Sequence, residues 1–189
     1  MNDTLFTLLA IAMLLTLVSL LVPAAERLRL PHTVLLATAG LRIDQAEAGE
    51  DEPLLYVLRD ELALRGSRFG CGLEQCGSCM VLIDGAAEYS CSREIGTLAG
   101  KTITTVEGLS QNGALSPLQQ AFLDEQAGQC GYCLSGILIS ASALLAKNPK
   151  PSRAEIAEAL DRNLCRCGMH NRVIRAIQRA GEVMAGAPR

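Results

Sequence analysis

No charged residue occurs from Thr4 to Ala25, and the 18 positions from Leu5 to Val22 are apolar except for Thr7, Thr16 and Ser19. As a helix this run would rise about 27 Å, close to the ~30 Å hydrocarbon core of a bilayer, and it predicts a transmembrane anchor within residues 1–30. A cleaved export signal competes, because Val22-Pro23-Ala24 resembles a small-residue cleavage site. The Met-Asn-Asp-Thr start, however, has neither a positive n-region nor a twin arginine, so the uncleaved anchor is preferred. Arg27 and Arg29 favour a cytoplasmic C-terminal side, Glu26 and Asp3 count against it, and the side of the membrane stays open.

Past the anchor the pattern becomes that of a small mixed domain, residues 31–110. Thr33 to Ala37 and Leu41 to Asp44 are predicted to pair across Thr38-Ala39-Gly40. A helix opening at Glu52-Pro53 carries Leu54, Leu55, Val57, Leu58 and Leu62 on one face, with Arg59, Asp60 and Glu61 outward, and is predicted to end near Gly66. Met80 to Ile83 and Ala86 to Cys91 read as a hairpin about Asp84-Gly85, and Lys101 to Val106, rich in β-branched residues, as a closing strand. From residue 111 to 189 the period is helical. Ser116-Pro-Leu-Gln119 and Ser152-Arg-Ala-Glu155 are capping boxes, with further helices over Ser135 to Ala146 and Asn171 to Met184. The fold class is α+β: a small sheet domain, then an all-α four-helix domain, with an N-terminal transmembrane helix.

At 189 residues the chain is too short to hold a large catalytic cavity beside these elements. Its net charge of −3 and 3% aromatic content offer neither a basic stripe nor stacking platforms, which argues against a nucleic-acid partner. No acid–base pair, activated nucleophile or glycine-rich phosphate loop is found, so turnover of an organic substrate by this chain alone is not expected.

The eight cysteines carry the chemistry. Cys71, Cys76, Cys79 and Cys91 follow C-x4-C-x2-C-x11-C, and Cys130, Cys133, Cys165 and Cys167 follow C-x2-C-x31-C-x-C. The first spacing is that of a plant-type [2Fe-2S] loop, and the second quartet implies a second four-thiolate site. Disulfides are the competing reading, but eight cysteines in 189 residues are fewer than a disulfide scaffold uses, and the Cys165-x-Cys167 gap suits two thiolates turned to one site. Structural zinc also uses four cysteines with C-x2-C pairs. Gly70, Gly72, Gly77 and Ser78, with Gly131 and Gly168 at the second quartet, let the backbone curl round a cluster, and two helix N-termini near Cys133 and Cys167 would point positive dipole ends at it. Arg166 either offsets cluster charge or makes a surface ion pair. Gln129 and Tyr132 read as packing or partner-contact residues, and neither His32 nor His170 is needed as a ligand.

The strings FGCGLEQCGSCMVLIDG (Phe69 to Gly85), SPLQQAFLDEQAGQCGYC (Ser116 to Cys133) and NLCRCG (Asn163 to Gly168) resemble the small [2Fe-2S] iron-sulfur subunit of the xanthine oxidase, or molybdenum hydroxylase, family, of the isoquinoline oxidoreductase, nicotinate dehydrogenase and membrane-bound aldehyde dehydrogenase type. The resemblance covers about residues 33 to 184. It implies a β-grasp ferredoxin-type domain and a four-helix domain, each with one [2Fe-2S] cluster. It also implies a large molybdopterin-binding subunit that oxidises an aldehyde or heterocycle. Electrons would pass to the helical-domain cluster, on to the ferredoxin-domain cluster, and out to a c-type cytochrome, an FAD subunit or a respiratory acceptor.

Three departures stand out. Where such subunits carry Gln-Ser after C-G-Y-C, with the Gln amide near the pterin, this chain has Leu134-Ser135; the Tyr after C-R-C-G is His170; and the first hairpin turn is Ala39-Gly40 instead of Asn-Gly. The apolar N-terminus is an addition to the soluble subunits and points to a respiratory complex at the bacterial inner membrane. A free-standing membrane-anchored diferredoxin and a zinc-stapled interaction module are the alternatives.

Overall fold

The computed structural model describes residues 49–110 and 113–186. The expected anchor, the hairpin about Ala39-Gly40 and His32 lie outside them. Among the described residues, no helix is long and apolar enough to cross a membrane.

Pro53 caps a short helix, α1 (Leu54–Tyr56), which widens into a π-helical turn over Val57–Glu61. It ends at Leu62, earlier than the predicted stop near Gly66: the Leu62 N–H reaches back to the Val57 carbonyl and Ala63 takes a positive φ of 53°. Arg59 then caps the exit by donating to the carbonyls of Arg65 and Ser67 at 3.3 and 2.8 Å. Leu54, Leu55, Val57 and Leu58 are fully buried, while Asp60 and Glu61 face out as their period requires.

Strands β1 (Met80–Ile83) and β2 (Ala86–Tyr89) pair antiparallel, Met80 opposite Tyr89 and Ile83 opposite Ala86. Their turn has φ of 50° at Asp84 and 84° at Gly85, the two positive angles of a type I′ connection. The second strand stops at Tyr89, two residues short of the predicted end at Cys91, and β3 (Ile103–Thr104) keeps only the centre of the predicted Lys101 to Val106 strand. The order is β2-β1-β3. Central β1 is buried on both faces, which explains its unbroken Met-Val-Leu-Ile. Val81 and Ile83 join Leu54, Val57, Leu58, Ile95 and Leu98 beneath α1. Met80 and its neighbour Cys79 turn the other way, to Leu55, Tyr89, Cys91 and, from the helical part, Ile139.

The helical part comprises α2 (Pro117–Asp124), α3 (Leu134–Lys147), α4 (Arg153–Ala159) and α5 (His170–Met184). Both predicted capping boxes form: Ser116 and Ser152 accept from the N–H of Gln119 and Glu155, whose side chains return the bond. Leu118, Phe122, Ile137, Leu145, Ile156, Val173 and Ile177 fill the core between the helices, and Cys133 and Cys165 border it.

Helix α3 also lies on the sheet domain, and one contact sets how closely. A Cβ on Gly136 would collide with the Gly77 carbonyl, and one on Gly77, whose φ is 73°, would collide with the Arg162 carbonyl and the Asn163 amide. Ser135 Oγ donates to the Ser78 carbonyl at 3.4 Å, and Arg162 stacks 4.3 Å from the Tyr89 ring centroid while its Nε donates to the Tyr89 hydroxyl at 3.2 Å. Gly136→Ala is expected to lower stability by about 1–3 kcal/mol through overpacking against fixed backbone. This is read as a lower urea midpoint at unchanged slope.

Candidate iron-sulfur sites

The first quartet is built by one loop and one hairpin. Cys71 and Cys76 lie on the loop entering β1, Cys79 is the last residue before β1, and Cys91 follows β2. Backbone N–H groups of Leu73 and Gln75 point at Cys71 Sγ at 3.4 and 3.3 Å, and the Cys71 N–H points at Cys76 Sγ at 3.4 Å. Ser90 Oγ donates to the Cys79 carbonyl at 2.6 Å, which ties the hairpin exit carrying Cys91 to the loop end carrying Cys79. The four thus fall as two neighbouring pairs, Cys71 with Cys76 on the loop and Cys79 with Cys91 in one buried cluster.

The second quartet closes around the ends of α3 and α5. Cys133 is the N-cap of α3, whereas α5 begins after Met169, so Cys167 stands two residues ahead of that cap. Here too there are two pairs, Cys130 with Cys167 and Cys133 with Cys165, and all four line one small recess with Gly131 and Met169. All eight thiols are free; Cys79, Cys91, Cys133 and Cys165 are buried and Cys130 is exposed. Gly72, Gly77, Gly131 and Gly168, four of the glycines assigned to loop curling, have positive φ.

Burial divides each site into an inner side, Cys79 with Cys91 and Cys133 with Cys165, and a more exposed outer one. Burial and the nearby Cys91 thiol push Cys79 up to about 11, and burial with the Cys165 contact pushes Cys133 up to about 12. At Cys71 burial acts upward but is outweighed by the N–H groups of Leu73, Gln75 and Cys76, which bring it to about 7. The Tyr132 N–H and the Cys167 contact lower Cys130; at Cys165 burial is outweighed by the Met169 N–H, the Cys133 contact and the N–H groups of Cys167 and Gly168. Both sites thus offer backbone dipoles to negative charge on sulfur.

Among the described residues, no group of three or more His, Cys, Asp or Glu side chains is arranged to hold a single metal ion. A [2Fe-2S] cluster asks for something else, two thiolates on each of two irons. Two pairs per site, with N–H donors at the sulfurs, fit that demand.

Two family profiles match in succession: one described as a 2Fe-2S iron-sulfur cluster binding domain over residues 42–108, the other as a [2Fe-2S] binding domain over 105–178. Among curated relatives, one of the subunits of nicotinate dehydrogenase from Pseudomonas putida is 48% identical over 150 residues, 79% of this chain and 95% of that one. The chain belongs to the small 2Fe-2S subunits of the molybdenum hydroxylases. Another member of this family, the alpha subunit of isoquinoline 1-oxidoreductase from Brevundimonas diminuta, is 49% identical over 77% of this chain and 95% of its own. Among solved structures, quinoline 2-oxidoreductase from Pseudomonas putida 86 superposes with a TM-score of 0.69 at 40% identity, covering 75% of this chain and 89% of that one. Aldehyde oxidoreductase from Desulfovibrio gigas superposes at 0.71 and 37% identity, covering 74% of this chain but only 16% of that much longer one. The family's fold, a β-grasp 2Fe-2S domain followed by a helical one, is the fold of the described residues.

Within this family the departure at Leu134 has a local explanation. Its side chain packs over Gly128, where a Cβ would meet Leu134 Cδ1, and it lines an apolar groove of about 460 Å³ with Leu115, Phe122, Leu123 and Leu138. Gln129 borders the same groove. Tyr132 is half-exposed and joins the two domains: its hydroxyl donates to the Phe69 carbonyl and its ring carries Arg68 at 5.3 Å. Arg166 is exposed, and His170 is the first residue of α5. Sequence reasoning passed over Arg162, Asn163, Ser140 and Gly136, which join the quartets across the domain boundary. The NLCRCG string, with Asn163 two places before Cys165, was the one available signal.

With free thiols, alkylation of Cys71 is expected to reach half its plateau rate near pH 7, since its thiolate dominates above that value. Cys79 and Cys133, raised to about 11 and 12, are expected to stay unmodified at pH 8. Peptide mapping by mass spectrometry against pH checks the order.

Proposed function

We propose that this chain carries electrons for a molybdenum hydroxylase complex through two sites, Cys71, Cys76, Cys79 and Cys91 holding one [2Fe-2S] cluster and Cys130, Cys133, Cys165 and Cys167 the other. The observations that carry the reading are the recess lined by Cys130, Cys133, Cys165 and Cys167 and the backbone N–H groups aimed at the sulfurs of Cys71 and Cys76. A [2Fe-2S] cluster takes up and releases one electron at a time. The chain's residues supply the rest: N–H groups stabilise negative charge on sulfur, buried Cys79 and Cys133 form the inner side of each site, and Leu164 N–H donates to the Cys76 carbonyl at 3.0 Å, joining the two ligand loops.

Residues 31–110 form the ferredoxin-type domain and 111–189 the helical domain in this reading. The entry side is the helical domain, where exposed Cys130 adjoins the apolar groove at Leu134 and Leu115. That face suits a large molybdopterin-binding subunit that oxidises an aldehyde or heterocycle. The exit is the Cys71 loop, where Leu73 is 69% exposed, toward a c-type cytochrome, an FAD subunit or a respiratory acceptor. The uncharged run Thr4 to Ala25 supports an anchor in the bacterial inner membrane.

Isolation of the tagged chain from membranes is expected to bring down a large molybdopterin protein; repeated recovery without one would point to a free-standing diferredoxin. Cys130→Ser is expected to remove one reduced-cluster EPR signal and abolish substrate-driven reduction of the other site. Unchanged signals and turnover would contradict the assignment.

A further inference from the structure

Between the two quartets lies a short strap, Arg162 to Leu164, that leads directly into Cys165. Its middle residue, Asn163, is 5% exposed, and the amide sits in a cradle made of missing side chains. A Cβ on Gly77 would stand 2.5 Å from Asn163 Nδ2, and one on Gly136 would stand 3.3 Å from it. Within the cradle Nδ2 donates to the Met80 sulfur at 3.5 Å, and Ser140 Oγ donates to the same sulfur at 2.9 Å. The Asn163 side-chain Oδ1 is buried without a partner.

Stability alone does not select this arrangement. A buried amide with one weak sulfur acceptor and an orphaned carbonyl is worse than an apolar side chain of the same volume. What the amide achieves is position. Met80 directly follows Cys79, and Leu164, which follows Asn163, donates its N–H to the carbonyl of Cys76. Asn163 therefore meets the first quartet beside Cys79, from one thiol pair, while its neighbour meets it at Cys76, from the other.

We propose that Asn163 is a positioning residue for electron transfer between the two quartets, its buried amide seating the Arg162–Leu164 strap on the Met80 sulfur so that Leu164 N–H meets the Cys76 carbonyl. The inference rests on the reading that both quartets hold redox clusters. The transfer it serves would move one electron from the [2Fe-2S] cluster held by the helical quartet, whose iron is oxidised, to the one held by the ferredoxin quartet, whose iron is reduced. No bond is made or broken and no proton moves. Tunnelling between the sites depends on the contact at the strap, so loosening the strap weakens communication while leaving each four-cysteine set intact.

The test uses the full chain loaded anaerobically with iron and sulfide. Asn163→Asp keeps the shape of the side chain but removes the donor, and Met80→Leu keeps apolar volume but removes the acceptor. Both are expected to retain the iron and sulfide content of the parent and both reduced-cluster EPR signals. They are expected to lose most of the magnetic splitting between the two signals and to slow electron equilibration between the sites after partial reduction. Unchanged splitting and equilibration in fully loaded variants would overturn the proposal. Should Asn163→Asp fail to load, Met80→Leu decides alone, and should neither load, a positioning role separate from folding is refuted. A parent protein that shows no second signal would instead overturn the two-cluster reading beneath it.

Discussion

Gly77 and Gly136 meet backbone to backbone, and most of what the two sites share follows from that contact. No side chain fits between them, so α3 lies directly on the loop that carries the first quartet. The same helix carries Cys133 at its N-cap, and its Ile139 closes the core formed by Cys79, Met80, Tyr89 and Cys91. The domains are therefore not beads on a linker. A helix that begins at one site is a wall of the other, and the strap returning to Cys165 is trapped against both.

Charge is managed by backbone more than by side chains. The groups aimed at the sulfurs are N–H dipoles from Leu73, Gln75, Tyr132, Met169 and Gly168, fixed by turns whose conformation the glycines permit. Such dipoles favour added negative charge without bringing in a titrating cation, which suits sites whose charge changes by one electron. The five ion pairs of the described residues lie at the surface and do not involve the quartets. Exposed pairs of this kind contribute about 0–1 kcal/mol each.

What could be read from the chain beforehand was what local chemistry dictates. Both capping boxes, the Asp84-Gly85 turn and the extents of α3 and α5 follow from residues close in sequence. The failures are tertiary. The helix after Pro53 widens at Val57 and stops at Leu62, because Ala63 adopts a left-handed angle that its own identity does not announce. The closing strand shrinks to Ile103–Thr104, since only that stretch finds β1 alongside it. Cysteine spacing proposes the quartets but says nothing of which thiols are neighbours, which needs the hairpin and the α3 cap to be in place. The roles of Asn163 and Gly136 were not legible, because their partners, Met80 and Gly77, lie far along the chain.

Eight free thiols in two sets of four are proposed to hold two binuclear clusters. Metal and acid-labile sulfide analysis of the anaerobically purified full chain, with EPR of the reduced protein, tests this most directly. About four irons and about four sulfides per chain, with two distinct reduced-cluster signals, are expected. A colourless protein with zinc and no labile sulfide, or one with half that iron and a single signal, would contradict it.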